Sequence, residues 1–104
     1  MGIDIFSKNI ELNDPLRVFI EEKIGTLMKY LKGDGIGIRV EVSRPSKHHR
    51  SGDVFYAEAN IKMGGKLIRA TAENRDLHTA VTEVRDELQI QLKKLKDKKL
   101  SSRR

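Results

Sequence analysis

Polar and apolar positions alternate from the start of the chain. Ile3, Ile5 and Ser7 interleave with Asp4, Phe6 and Lys8, a period of two that predicts a first strand. A loop is expected over residues 9–12. Asn13-Asp14-Pro15 then predicts a helix start: asparagine caps free amides, aspartate suits the positive helix end, and proline is tolerated in the first turn. Beyond it the period changes. Leu16, Ile20, Ile24, Leu27 and Leu31 recur every three or four residues, one stripe of a helix expected to run to about Lys32 and to stop at Gly33-Asp34-Gly35. Ile36, Ile38, Val40 and Val42 then alternate with Gly37, Arg39, Glu41 and Ser43, a strand with one buried face. Residues 44–52 are polar and read as a hairpin loop, residues 53–63 as a third strand, and Gly64-Gly65 as a tight turn. In the fourth strand, residues 66–73, Ile68, Ala70 and Ala72 share one side and Leu67, Arg69 and Thr71 the other. Asn74 is expected to cap a second helix with a stripe of Leu77, Val81, Val84, Leu88, Leu92 and Leu95.

Each apolar stripe has to be buried against something, which fixes the expected class as α+β, in the order β-α-β-β-β-α. One four-stranded sheet carries both helices on one face, and the first helix is a right-handed crossover if strands one and two are parallel neighbours. At 104 residues the chain is one domain, expected over residues 1–100, with residues 101–104 a short basic tail. The absence of cysteine excludes disulfides, thiolate metal ligands and a cysteine nucleophile. No apolar run approaches the roughly 20 residues that span a bilayer, and Met1-Gly2-Ile3-Asp4 does not begin a cationic leader. A soluble cytoplasmic protein without a membrane partner is expected.

Charge changes the picture at one end. Residues 93–104 hold seven bases (Lys93, Lys94, Lys96, Lys98, Lys99, Arg103, Arg104) and one acid, Asp97, which equals the net charge of +6 for the whole chain. Residues 1–92 therefore balance. On a helical wheel at about 100° per residue, the second helix's apolar stripe centres near ~155°, while His78, Arg85, Gln89, Lys93 and Lys96 fall at about 220° to 300°. Asp76, Glu83, Asp86, Glu87 and Asp97 lie on the opposite side. A solvated helix surface more often mixes its signs in i,i+4 pairs, so the segregated cationic flank points to a polyanion whose phosphates it would neutralise.

A second basic cluster, Arg44, Lys47, His48, His49 and Arg50, falls in the loop between strands two and three; phosphate contact and an ordinary solvated hairpin tip fit it equally. Arg69 and Arg75, with Lys62 and Lys66, add positive charge around strand four, Arg69 projecting away from the helices. A metal site at His48 and His49 is disfavoured, because adjacent histidines on a loop diverge and only Asp53 and distant His78 could complete it. The five aromatic residues are too scattered for a base-stacking platform, and Phe19 suits the core. No nucleophile elbow or phosphate-binding loop is present, so no enzyme, cofactor or small-molecule substrate is expected.

The whole chain, over about residues 2–99, resembles the ribosome hibernation promoting factor and ribosome-associated inhibitor family, also described as sigma-54 modulation proteins. The resemblance rests on Ser7-Lys8-Asn9-Ile10-Glu11-Leu12, Leu16-Arg17, Glu22-Lys23-Ile24, the run from Ala70 to Val81, and the closing run from Asp86 to Lys96. It implies a fold similar to double-stranded RNA-binding domains, and docking on small-subunit ribosomal RNA at the decoding region, overlapping the paths of messenger and transfer RNA. Residue by residue, it implies roles for Lys23 in the first helix, Asp76 at the entry to the second, and Lys94 and Lys96 near the end. Thr26, Glu87 and Ile90 depart from the family pattern, where basic residues are common, and Lys93, Lys98 and Lys99 are expected to compensate. The chain as given stops just after the domain and is expected to be a monomer. Two other readings stay open: a generic double-stranded RNA-binding module, and a protein-interaction regulator of transcription machinery.

Overall fold

The computed structural model describes residues 2–33, 35–44 and 54–101, with side chains described through residue 96. Along the chain run β1 (Ile3–Lys8), α1 (Asp14–Gly25), a 3-10 turn (Met28–Tyr30), β2 (Gly37–Ser43), β3 (Phe55–Met63), β4 (Lys66–Asn74) and α2 (Leu77–Ser101). The strands form one sheet in the order β1-β2-β3-β4. β1 pairs with β2 in parallel, from Ile3 opposite Ile38 to Lys8 opposite Ser43, and the other two pairs are antiparallel. α1 is the crossover that a parallel β1–β2 pair requires.

The period-two pattern puts Ile38, Val40, Val42, Ala57, Ala59, Ile61, Ile68 and Ala70 on one face of the sheet, all buried. Onto it pack Leu16, Ile20, Ile24 and Leu27 from α1 and its following turn, and Leu77, Ala80, Val81, Val84, Leu88 and Leu92 from α2. Each fully buried leucine, isoleucine or valine contributes about 1.5–3 kcal/mol of transfer free energy, so the two stripes hold the helices to the sheet. The alanines of β3 and β4 let α2 approach closely. The architecture is the expected α+β class.

Two boundaries differ from expectation. The first helix ends at Gly25 rather than near Lys32. Glycine is a poor helix former, and the Thr26 hydroxyl donates to the Lys23 carbonyl at 2.6 Å, while the Thr26 and Leu27 amides bond three residues back instead of four. The chain tightens into the 3-10 turn, which keeps Leu27 buried although the α-helix has stopped. Gly33, at φ +105°, then turns the chain toward β2. The second difference is the cap of α2. Asn74 is held in β4 opposite Phe55, and the cap falls to Asp76. Gly64, at φ +62°, makes the β3–β4 turn where expected.

Candidate nucleic-acid interface

α2 is anchored before it begins. The Asn74 side-chain oxygen accepts from the Asp76 amide at 2.9 Å, and its NH2 donates to Glu83 at 3.0 Å. Asp76 in turn accepts from the Thr79 amide at 3.2 Å and from its hydroxyl at 2.6 Å. These bonds, the hydroxyl's above all, hold the Asp76 carboxyl below its ordinary pKa. The rotational setting of α2 on the sheet is thereby coupled to the end of β4, and that setting decides which way each basic side chain points.

α1 and α2 both begin at the end of the sheet where β1, β2 and β4 finish, so they run side by side in the same direction. The contacts between them keep a constant offset of 59 residues. Phe19 and His78 meet edge to face with ring centroids 4.2 Å apart, Arg85 Nη1 donates to Thr26 Oγ1 at 3.2 Å, and Gln89 Nε2 donates to the Tyr30 hydroxyl at 3.3 Å. Lys23 Nζ lies 5.8 Å from the Phe19 ring centre, and Lys29 Nζ 5.4 Å from that of Tyr30. The seam is thus polar, aromatic and cationic above an apolar floor, and it continues past Gln89 to exposed Lys93 and Lys96.

Five predicted residues, His78, Arg85, Gln89, Lys93 and Lys96, therefore share this flank of α2, and Lys23 joins them from α1. Their states differ. The His78 side chain is 57% exposed, whereas that of Arg85 is only 20% exposed and is held by Asp86 at 2.7 Å as well as by Thr26. Arg85 is thus a positioned cation, and Thr26 is its anchor. Sequence reasoning passed over Thr26, Tyr30 and Phe19 as parts of the flank; the signal for them is the constant offset, which appears only once the helices are paired.

The remaining predicted residues lie elsewhere. Arg44 and Arg75 are exposed at the end of the sheet where the helices begin, Arg44 donating its amide to the Lys8 carbonyl at 3.1 Å. Lys47, His48, His49 and Arg50 lie outside the described residues. Lys94 is on the other flank of α2, beside Lys66 on β4. Arg69 is on the open face of the sheet, as its alternation predicted, bonded to Glu58 at 3.0 Å. Glu58 also accepts from the Tyr56 hydroxyl at 2.6 Å and from Asn60 at 2.9 Å. These donors, Tyr56 first, hold the Glu58 carboxyl below its ordinary pKa, while burial and then the bond to Glu58 raise that of Tyr56. On the same face the Arg39 guanidinium stacks 4.3 Å from the ring centre of Phe6. On the open face Arg69 is paired with Glu58, whereas the α1–α2 flank keeps lysines exposed at its far end.

This arrangement has close counterparts. A family model described as "Sigma 54 modulation protein / S30EA ribosomal protein" matches residues 3–100. The chain is 32% identical over 98 residues to the ribosome hibernation promoting factor of Escherichia coli K12, covering 94% of this chain and 96% of that one. It is 27% identical over 97 residues to the ribosome hibernation promotion factor of Deinococcus radiodurans, of which it spans about half the length, 49%. Among solved structures, the N-terminal domain of Thermus thermophilus Protein Y superposes with a TM-score of 0.76 at 28% identity, covering 91% of this chain and 99% of that one. A ribosomal subunit interface protein from Coxiella burnetii gives 0.73 at 25% identity, covering 93% and 99%. With the family model spanning residues 3–100 and a relative 32% identical along almost its whole length, the chain belongs to the sigma 54 modulation protein / S30EA family, that of the ribosome hibernation promoting factors.

Proposed function

We propose that this protein is a ribosome-binding translation inhibitor that docks on small-subunit ribosomal RNA at the decoding region and blocks the paths of messenger and transfer RNA. The observation that carries this reading is the α1–α2 flank, where Lys23, His78, Arg85, Gln89, Lys93 and Lys96 line one edge of two parallel helices. Such an array tracks a phosphate backbone without reading its sequence, because lysine and arginine displace condensed counterions from any phosphate. Arg85, held by Thr26 and Asp86, would enter the complex already ordered, and Lys93 and Lys96 would supply contacts from flexible stems. Arg44 and Arg75, at the other end of the helices, extend the footprint. The printed names of the relatives, hibernation promoting factor and subunit interface protein, support the ribosome as the polyanion.

Inhibition in this reading is steric and needs no bond made or broken. The chain acts as a monomer, and a cytoplasmic location follows from the partner. The test is cosedimentation with purified small subunits, repeated with messenger and transfer RNA already in place. Competition by those ligands is expected; simultaneous binding would overturn occlusion. Binding isolated RNA duplexes as tightly as subunits would favour the generic RNA-binding module instead.

A further inference from the structure

β4 is an edge strand, and its beginning is open. An open groove of about 570 Å3 lies over this edge, lined by Lys66, Leu67 and Ile68 of β4 and by Gln91, Lys94 and Leu95 of α2. Leu67 is 68% exposed, and Ile90, one turn before Lys94, is 49% exposed; both are among the large apolar residues the fold leaves in water. Lysines stand on both sides: Lys66 and Lys94 at the groove, and exposed Lys62 directly opposite Leu67 on β3.

The backbone shows what shape fits. Gln91 Nε2 donates to the Arg69 carbonyl at 3.0 Å, so the Arg69 backbone points away from β3. In an antiparallel strand the outward groups alternate, which places the Leu67 N–H and C=O outward as well. Leu67 therefore offers a donor and an acceptor to an added strand. The Gln91 amide ends that offer one step later, and its second bond, to Glu87 at 3.2 Å, engages the acid one turn earlier on α2. The open edge is short, with exposed Leu67 beside Lys62 on one face and Lys66 and Lys94 on the other.

We propose that this edge binds a short extended segment of a partner protein in which apolar and acidic side chains alternate. An added strand would place an apolar side chain beside Leu67 and its flanking carboxylates on the other face, toward Lys66 and Lys94, with Leu95 under their stems. The match needs both features. A phosphate backbone would use the lysines but gain nothing from covering Leu67, and a purely apolar strand would leave the lysines unpaired. The site is distinct from the α1–α2 flank, since Lys94 and Lys93, neighbours in sequence, point about 100° apart and fall on either side of the buried stripe of α2.

The experiment is a titration of the isotope-labelled full chain, followed by amide NMR. The probe is an end-blocked seven-residue peptide of alternating leucine and glutamate, and the control carries lysine for glutamate. Shift changes are expected at Leu67, Ile68, Gln91, Lys94 and Leu95, with the lysine peptide at least about tenfold weaker. Leu67→Asp, at an exposed position, is expected to weaken the peptide by at least about tenfold while leaving the thermal midpoint and small-subunit binding unchanged. Absence of binding, equal binding of the two peptides, shifts centred on Phe19 and Arg85, or displacement of the peptide from these amides by an RNA oligonucleotide would each overturn the proposal.

Discussion

Reversing charge at Lys93 and Lys96 tests the flank proposed to face RNA where it is least entangled with folding. Both side chains are exposed and lie three residues apart, hence on one side of α2. Leu92 is the last buried position among the described side chains of that helix, and both lysines are exposed, so the double variant Lys93→Glu, Lys96→Glu leaves stability within about 0.5 kcal/mol of the parent. The effect on binding follows from counterion release. Each neutralised phosphate contributes a slope of about 0.7–0.9 in log affinity against log salt, and six would give roughly −4 to −5 for the parent. Losing two contacts flattens the slope by about 1.4–1.8. Near ~0.15 M salt each contact corresponds to a factor of about 4–5, so affinity falls about 15- to 30-fold, about 1.6–2 kcal/mol. The assay is small-subunit binding between ~50 and ~200 mM salt, the range over which such slopes separate clearly. An unchanged slope with affinity within twofold of the parent would refute the assignment of this flank to phosphate.

Three further outcomes are expected. Leu88→Ala opens a cavity at a side chain with no exposure, where α2 meets the sheet, and costs about 2–5 kcal/mol, visible as a lower thermal midpoint. Glu58 has its folded pKa lowered, so its contribution to stability is complete above the ordinary value of 4.5 and is lost as pH falls through the folded value; Glu58→Gln should flatten that part of the acid limb in denaturation measured against pH. Asp76→Ala removes the acceptor for Thr79, and faster amide exchange is expected at Thr79 while amides in the middle of α2 stay protected.

Much of this molecule was legible in its one-dimensional pattern. A period of two named the first, second and fourth strands, down to Arg69 pointing away from the helices, and a period of three to four named the stripes that bury both helices. These are consequences of backbone geometry, which any sequence with that pattern must obey. The cationic flank of α2 was legible for the same reason. Where two local preferences competed, the pattern alone was insufficient. Asn74 and Asp76 are both good caps, and only pairing with Phe55, which keeps Asn74 in β4, leaves the role to Asp76. The stripe through Leu31 suggested an unbroken helix, yet Gly25 and the Thr26 hydroxyl tighten the chain while the same apolar residues remain near the core.

What the tertiary structure alone decided is what each charge stands beside. Counting along the chain placed Lys93, Lys94 and Lys96 in one basic segment, but adjacent helical residues point about 100° apart. Packing of α2 on β3 and β4 sends Lys93 and Lys96 to the α1 side and Lys94 to the sheet edge. Thr26, which in the sequence marks a missing cation, becomes the group that holds Arg85, because two helices in parallel register bring together residues 59 apart. The sequence by itself determined the elements, most of their buried faces and the cationic flank of α2; what stands beside that flank depended on how the helices were set against each other, a relation between distant segments that no local period encodes.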